Sequence, residues 1–188
     1  MARVPLLELD DLGEDEVGRV AKKMARGGSW WEIMRVVVHS TNAGPNFFRY
    51  GSTLADRTSV PPMLREILIL HAAKWAGSDY VWHLHELYAG RLGMTEEVIA
   101  QIARGEYQPA DETERATLEL GRHAIEGSAT DDLVTEASKV LTHEQAVDVV
   151  MTALWYGRFL PGFIDVFDVA LEPGIPCTLA SARMGSTG

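Results

Sequence analysis

Apolar residues recur along most of the chain at intervals of three and four positions, the spacing typical of helices that bury one face. Glycine, proline and capping residues separate these segments, and strand signals are nearly absent because the β-branched run 36–38 is too short. The pattern therefore predicts an all-α helical bundle. The predicted helices span residues 15–25, 30–39, 46–54, 61–76, 79–92, 95–103, 112–126, 131–141 and 144–171.

Two helices in the middle of the chain carry the strongest signals. Residues 61–76 open with two prolines, which suit a first helical turn, and are apolar around most of the circumference, which predicts burial. Gly77 is expected to end this helix. Ser78 has the chemistry of an N-cap for the next helix, residues 79–92.

The length of 188 residues and the 46% content of hydrophobic residues suit a globular protein with a core of its own. We find no linker between blocks of different composition, so residues 1–173 are predicted to form a single domain. Within it, the last helix, 144–171, is expected to kink near Pro161. Residues 174–188, rich in Pro, Gly and Ser, are predicted to be a loose tail.

Charge and cysteine content indicate which partners and which cellular compartment suit the protein. Seventeen Lys and Arg against 27 Asp and Glu give a net charge of −10, which argues against nucleic acid or an anionic membrane as the main partner. No apolar run reaches the ~20 residues that span a bilayer, and no signal-peptide core is seen. Cys177 is a single thiol, which cannot close an intramolecular disulfide. These features predict a cytoplasmic protein.

Residues capable of acid–base chemistry gather at the joint between the two central helices, where three of the six histidines fall within 15 positions. From Arg65 to Thr95 the chain resembles the carboxymuconolactone decarboxylase and alkylhydroperoxidase D family. The resemblance extends more weakly over about residues 38–173. It implies an all-helical bundle of that type, which assembles into a trimer or hexamer. The residues gathered at the joint are Glu66, His71, Ser78, Asp79, Tyr80, Trp82, His83, His85 and Glu86.

The redox branch of that family carries a glutamate, then eleven residues, a cysteine, two residues, a second cysteine, three residues and a histidine. In this chain the same frame falls on Glu66, Ser78, Val81 and His85, so the acid and the imidazole match but both cysteines are replaced. A thiol peroxidase needs a thiolate to attack the peroxide and a second thiol to resolve the product. Cys177 is alone, so this chemistry is not expected unless a second chain lends a thiol.

The resemblance and the remaining residues point to a cofactor-free decarboxylase, or a related lyase or isomerase, that acts on a small carboxylated lactone or oxo-acid-like compound. We expect His85 to give or take the proton and Glu66 to be its partner, with His83 as a secondary acid group. The remaining candidates would bind the substrate or its carboxylate; they are Ser78, Tyr80, Trp82, Arg49 and Arg158.

Blander interpretations remain open at this stage. His85, Glu66 and especially His71 could be buried groups that only stabilise the fold, and the chain could be a hydrolytic or non-catalytic relative. No metal site is expected, because His83 and His85, two residues apart, face opposite sides of a helix. No cofactor is required, because the substrate of such a decarboxylase carries its own electron sink.

Overall fold

A computed structural model describes residues 2–26, 30–171 and 178–179 of the chain, and within them the secondary structure is helical, with no strand. The predicted all-α fold is confirmed. A short 3-10 turn, Leu9–Asp11, precedes the helices. These are α1 (Glu16–Ala25), α2 (Glu32–Val37), α3 (Gly44–Asp56), α4 (Pro62–Ala76), α5 (Asp79–Arg91), α6 (Glu96–Arg104), α7 (Glu112–Glu126), α8 (Asp131–Ala137), α9 (His143–Leu154) and α10 (Leu160–Phe167).

Side-chain caps explain why several helices begin where they do. The side chains of Asp15, Ser78, Thr95, Asp111 and Thr142 each accept a hydrogen bond from a backbone amide in the first turn that follows. Such a cap satisfies an amide that has no partner within the helix. From the sequence, Gly27 and Gly28 are expected to end the first helix and Ser29 to cap the second, but these three residues lie outside the described residues.

Three predicted helix lengths were wrong. The segment predicted as 30–39 is helical over Glu32–Val37 alone, and the segment predicted as 131–141 ends as a helix at Ala137. After Ala137 the backbone continues in turns towards the buried Leu141, so an apolar residue beyond the helix had extended the apparent pattern. The third correction concerns residues 144–171.

The predicted long helix 144–171 is interrupted by a π-helical turn, Trp155–Phe159, which joins α9 to α10. The interruption comes before Pro161, where a kink was expected, and the helix ends at Phe167. A π-turn inserts an extra residue into the helical repeat, so it shifts the side chains that follow relative to those before it. It therefore changes which residues of this segment face the protein interior.

The chain divides into two compact units. The first comprises Met1–Arg57 and Gly162–Ile175. In it α1 packs on α3, and a Cβ at Gly44 would meet the Val17 side chain at 3.0 Å, so this glycine permits the close approach. The backbone amide of Arg3 donates to the carbonyl of Phe167 (2.9 Å), which ties the start of the chain to the end of α10.

The second unit comprises Thr58–Pro161 and Pro176–Gly188 and is built around α4. This helix packs against α5, α6, α7, α9 and the π-turn. Its residues 65–70 are all buried, which confirms the burial predicted from its apolar circumference. Gly77 ends it in the left-handed conformation, at φ 67°, which a residue without a Cβ adopts readily. Ser78 follows at once and starts α5.

Nothing in this division tests the prediction that residues 1–173 form a single domain, which stays a prediction. The tail predicted for residues 174–188 lies outside the described residues, apart from Thr178 and Leu179. No helix in the described part of the chain is both long enough and apolar enough to cross a membrane.

Candidate functional site

The site is centred on a buried contact between α4 and α5. Nδ1 of His85 lies 2.7 Å from Oε2 of Glu66, and the two side chains expose 8% and 5% of their surfaces. An imidazole N–H that donates to a carboxylate is held in one tautomer and one orientation. Because Nδ1 is bonded to Glu66, Nε2 is the ring nitrogen that can exchange a proton with a bound molecule.

The π-turn places an aromatic ring against this imidazole. The rings of Tyr156 and His85 meet edge to face, with centroids 4.6 Å apart and planes at 74°. The next residue, Gly157, lies so close to α7 that a Cβ there would be 2.3 Å from Cδ1 of Ile125. The turn therefore packs tightly at Gly157 and holds Tyr156 on the ring. The ring of Tyr88 lies 5.7 Å from the same imidazole.

Ser78 and Val81 occupy the two positions of the family's cysteines. Ser78 is buried, and its hydroxyl oxygen accepts a hydrogen bond from the amide of Val81 at 3.4 Å, which caps α5. The hydroxyl keeps a proton to donate, and the amides at the start of α5 form the positive end of a helix. These features suit a carboxylate or an enolate oxygen better than they suit redox chemistry. Cys177 lies outside the described residues.

Tyr80 and His83 are buried on α5. His83 and His85 are two positions apart on one helix, so their side chains leave it on opposite sides. The two imidazoles therefore do not converge. The proposed role of His83 as a secondary acid stays a prediction.

Trp82 is fully buried, and its indole N–H is already engaged. Nε1 donates to Oε2 of Glu86 at 2.5 Å and to the hydroxyl oxygen of Thr178 at 2.9 Å. The Thr178 hydroxyl in turn donates to Glu86 at 2.5 Å. This triangle attaches Thr178, from the C-terminal part of the chain, to α5. A substrate contact by Trp82 stays a prediction, and any such contact would come from the indole ring.

The two arginines considered for the substrate carboxylate are exposed. Arg49 belongs to the first unit, where it forms an ion pair with Glu16 and donates to Asn46 at 3.1 Å. Arg158 lies in the π-turn, three residues after Trp155. Neither placement tests the predicted role in binding.

A second cluster, which is only partly buried, lies further along α4. His71 lies between the rings of Trp75 and Tyr107, at 5.3 and 5.7 Å, and burial together with the nearby charge of Lys74 lowers its pKa to about 4. Its Nε2 is buried and has no hydrogen-bond partner within the described ranges. The Tyr107 hydroxyl donates to the buried carboxylate of Glu114, and burial with this bond raises the pKa of the Tyr107 hydroxyl.

Metal ligands do not gather at either cluster. Within residues 2–26, 30–171 and 178–179, no three His, Cys, Asp or Glu side chains are arranged to hold one ion.

Comparison with solved structures gives the fold a name. The chain is similar to the alkylhydroperoxidase AhpD core of an uncharacterized peroxidase-related protein from Ralstonia eutropha JMP134, with a TM-score of 0.77 and 15% identity over 93% of this chain and 94% of that one. The chain has the alkylhydroperoxidase D-like fold. It is also similar to the debrominase Bmp8 in complex with 2,3,4-tribromopyrrole, with a TM-score of 0.74 and 14% identity over 98% of this chain and 99% of that one.

At these identities the likeness establishes the alkylhydroperoxidase D-like fold and no shared activity. It confirms the fold expected from the resemblance around Glu66 and His85. No protein-family model matches the chain. No curated protein matches it either.

Sequence reasoning missed three features of the site. Tyr156 faces His85 because of the π-turn, and the apolar pattern of residues 144–171 carries no signal of an inserted residue. Thr178 reaches Trp82 from the predicted loose tail. The burial of Arg65 could have been anticipated, because it lies among apolar residues on a helix predicted to be buried.

Proposed function

We propose that this protein is a cofactor-free decarboxylase that acts on a small carboxylated lactone or oxo acid. The observation that carries the proposal is the buried hydrogen bond between Glu66 and Nδ1 of His85, in a frame where both cysteines are absent. A decarboxylase of this class needs a proton donor at carbon and a place for an oxyanion, and no thiol.

The reaction breaks the bond between the carboxylate carbon and its neighbour and releases carbon dioxide. The bonding electrons pass into the conjugated carbonyl, which becomes an enolate. His85 then delivers the proton of Nε2 to carbon and regains one from solvent, while the Glu66 carboxylate orients the ring and offsets its charge. The Ser78 hydroxyl and the first amides of α5 are suited to bind the enolate oxygen.

The test measures carbon dioxide release from a panel of carboxylated lactones and 3-oxo acids, corrected for spontaneous decarboxylation. Glu66→Gln keeps the shape of the side chain but removes the acidic group, so it should slow the reaction by about 10²-fold or more. Glu114→Gln is the matched control, because it makes the same change at another buried carboxylate of the second unit.

A Glu66→Gln enzyme as fast as the wild type would remove the basis of the proposal. The same assay separates the alternatives left open by the sequence. Hydrolysis would appear as a gain of one water in product mass without carbon dioxide, and a non-catalytic binding protein would convert no member of the panel.

A further inference from the structure

Arg65 is a buried charge that the proposed chemistry leaves unexplained. It precedes Glu66 on α4 and exposes only 6% of its surface. Among the described residues, its guanidinium makes one hydrogen bond, from Nη1 to the hydroxyl oxygen of Thr58 at a long 3.4 Å, and its Nε is buried with no partner. It forms no ion pair with any described carboxylate.

Other buried or nearby charges of the second unit have partners. Glu66 is bonded to His85, and Glu114 accepts from the Tyr107 hydroxyl and from the amide of Ala110. Asp148 lies beside the segment that leads into α4, but it accepts from both the amide and the hydroxyl of Ser59, at 2.7 Å each. With 27 acidic residues, the chain does not lack carboxylates, so the isolation of Arg65 is specific to its position.

The start of α4, close to Arg65, is a second source of positive electrostatic potential. The Thr58 contact holds the guanidinium near the start of α4, where the N-cap residue, Pro61, provides no side-chain acceptor. The amides of Met63 and Leu64 in this first turn have no carbonyl partners within the helix. A helix N-terminus stabilises anions and is unfavourable for a cation such as Arg65. A bound anion would offset both the desolvated guanidinium and the helix end.

We propose that Arg65 and the start of α4 bind the carboxylate of a small molecule. A guanidinium stays protonated when buried, and its planar fork matches the two oxygens of a carboxylate. On the proposed function, the bound group is a carboxylate of the substrate. A side-chain carboxylate of a second copy of this chain would offer the same chemistry, and the experiment separates the two sources.

The test titrates the full-length protein with acetate at constant ionic strength and follows its melting temperature, with acetamide as the uncharged probe. The wild type should be stabilised by acetate and not by acetamide. Arg65→Met keeps much of the apolar stem and removes the charge, and it should weaken acetate binding by about 10-fold or more. Arg115→Met removes an exposed arginine and is the matched control.

The melting temperature without acetate supplies an independent readout. Removing a buried charge that has no partner should leave the Arg65→Met protein as stable as the wild type or more stable. Arg65→Lys keeps the charge but loses the fork, so it should fold and bind acetate more weakly. The NMR signal of the Arg65 Nε–H in the wild type should shift on addition of acetate.

Three outcomes would overturn the proposal. The first is a wild type that acetate does not stabilise, and the second is an Arg65→Met protein that still gains the wild-type stabilisation. The third is an Arg65→Met protein that melts at a lower temperature than the wild type, or fails to fold, and that sedimentation shows to have lost a subunit contact. Arg65 would then be paired with a carboxylate of a neighbouring copy. Acetate binding is measured without turnover, so its loss or survival is independent of the Glu66→Gln assay.

Discussion

Two histidines of the second unit, the partly buried His71 and the buried His85, differ in what their ring nitrogens contact. His85 has a carboxylate at Nδ1, whereas His71 lies between two aromatic rings and its buried Nε2 has no partner within the described ranges. Near His71 the buried carboxylate is Glu114, but it is occupied by the Tyr107 hydroxyl and a backbone amide. Both clusters combine an imidazole, a carboxylate and a tyrosine. In the His85 cluster the carboxylate is hydrogen-bonded to the imidazole, whereas in the His71 cluster it is hydrogen-bonded to the tyrosine.

On the proposed function, a carboxylate partner distinguishes the histidine that transfers the proton from one that does not. At His71, burial lowers the pKa to about 4, so the ring stays neutral near neutral pH and has no carboxylate to offset a positive charge. At His85 the hydrogen bond to Glu66 orients the ring and places a carboxylate beside it. The His71 cluster fits a structural role, and the His85 cluster fits the proposed chemistry.

The largest expected effect is a difference in catalytic activity between variants of the two histidines. His85→Gln should lower kcat/KM for decarboxylation by about 10²–10⁴-fold, because it removes the group that delivers the proton. His71→Gln should leave kcat/KM close to the wild-type value. Equal losses of kcat/KM in the two variants, measured by carbon dioxide release, would show that His85 has no special role in turnover.

The next effect concerns stability at the structural cluster. Glu114→Ala removes the acceptor of the Tyr107 hydroxyl and of the Ala110 amide, so it should lower the free energy of unfolding by about 2–3 kcal/mol. Urea unfolding measures this change. Glu114→Gln, which keeps one acceptor oxygen, should lower the free energy of unfolding by less. An unchanged free energy of unfolding in Glu114→Ala would mean that this carboxylate does not stabilise the fold.

Acid should destabilise the protein through His71. The folded-state pKa of about 4 lies below the ordinary histidine pKa of 6.5, so the unfolded chain binds the proton more tightly. The stability contributed by the neutral ring is therefore present above pH 6.5 and is lost as the pH falls from 6.5 towards 4. Between pH 7 and pH 5 the wild type should lose about 2 kcal/mol from this group. His71→Gln should lack this component, and an unchanged pH dependence in that variant would contradict the assignment.

The smallest effect tests the packing of the π-turn. A Cβ at Gly157 would lie 2.3 Å from Cδ1 and 2.8 Å from Cγ1 of Ile125, and 3.4 Å from the Cβ of Ala72, which cannot rotate away. Gly157→Ala should therefore destabilise the protein by about 1–2 kcal/mol, within the usual range of overpacking costs. Gly90→Ala is the matched control, because a Cβ there meets no atom within 4 Å, and it should be neutral or stabilising. Equal effects of the two substitutions on urea unfolding would show that Gly157 is not tightly packed.

Most of the fold could be predicted from local chemistry. The helix bounds 112–126 follow from Asp111 as N-cap and Gly127 as C-terminal glycine, and the burial of α4 follows from apolar residues on all of its sides. The pairing of Glu66 with His85 was expected from the spacing in the resembled family. Two of the wrong bounds, after Val37 and after Ala137, lie where no Gly or Pro marks a change.

Other features of the site depend on tertiary packing that no local pattern encodes. In the π-turn at Trp155–Phe159, Gly157 packs closely on Ile125, a residue far from it in the chain, and the neighbouring Tyr156 contacts His85. The attachment of Thr178 to Trp82 joins residues almost a hundred positions apart. Such contacts appear only when the helices are assembled.

The most direct measurement of the central claim is the protonation of each ring nitrogen of His85, determined by NMR of protein labelled with ¹⁵N in histidine. The account predicts that Nδ1 carries a proton, that this proton is shifted far downfield by the hydrogen bond to Glu66, and that the shift is reduced in Glu66→Gln. A neutral ring with its proton on Nε2, or a signal that does not respond to Glu66→Gln, would contradict an acid–base pair of Glu66 and His85.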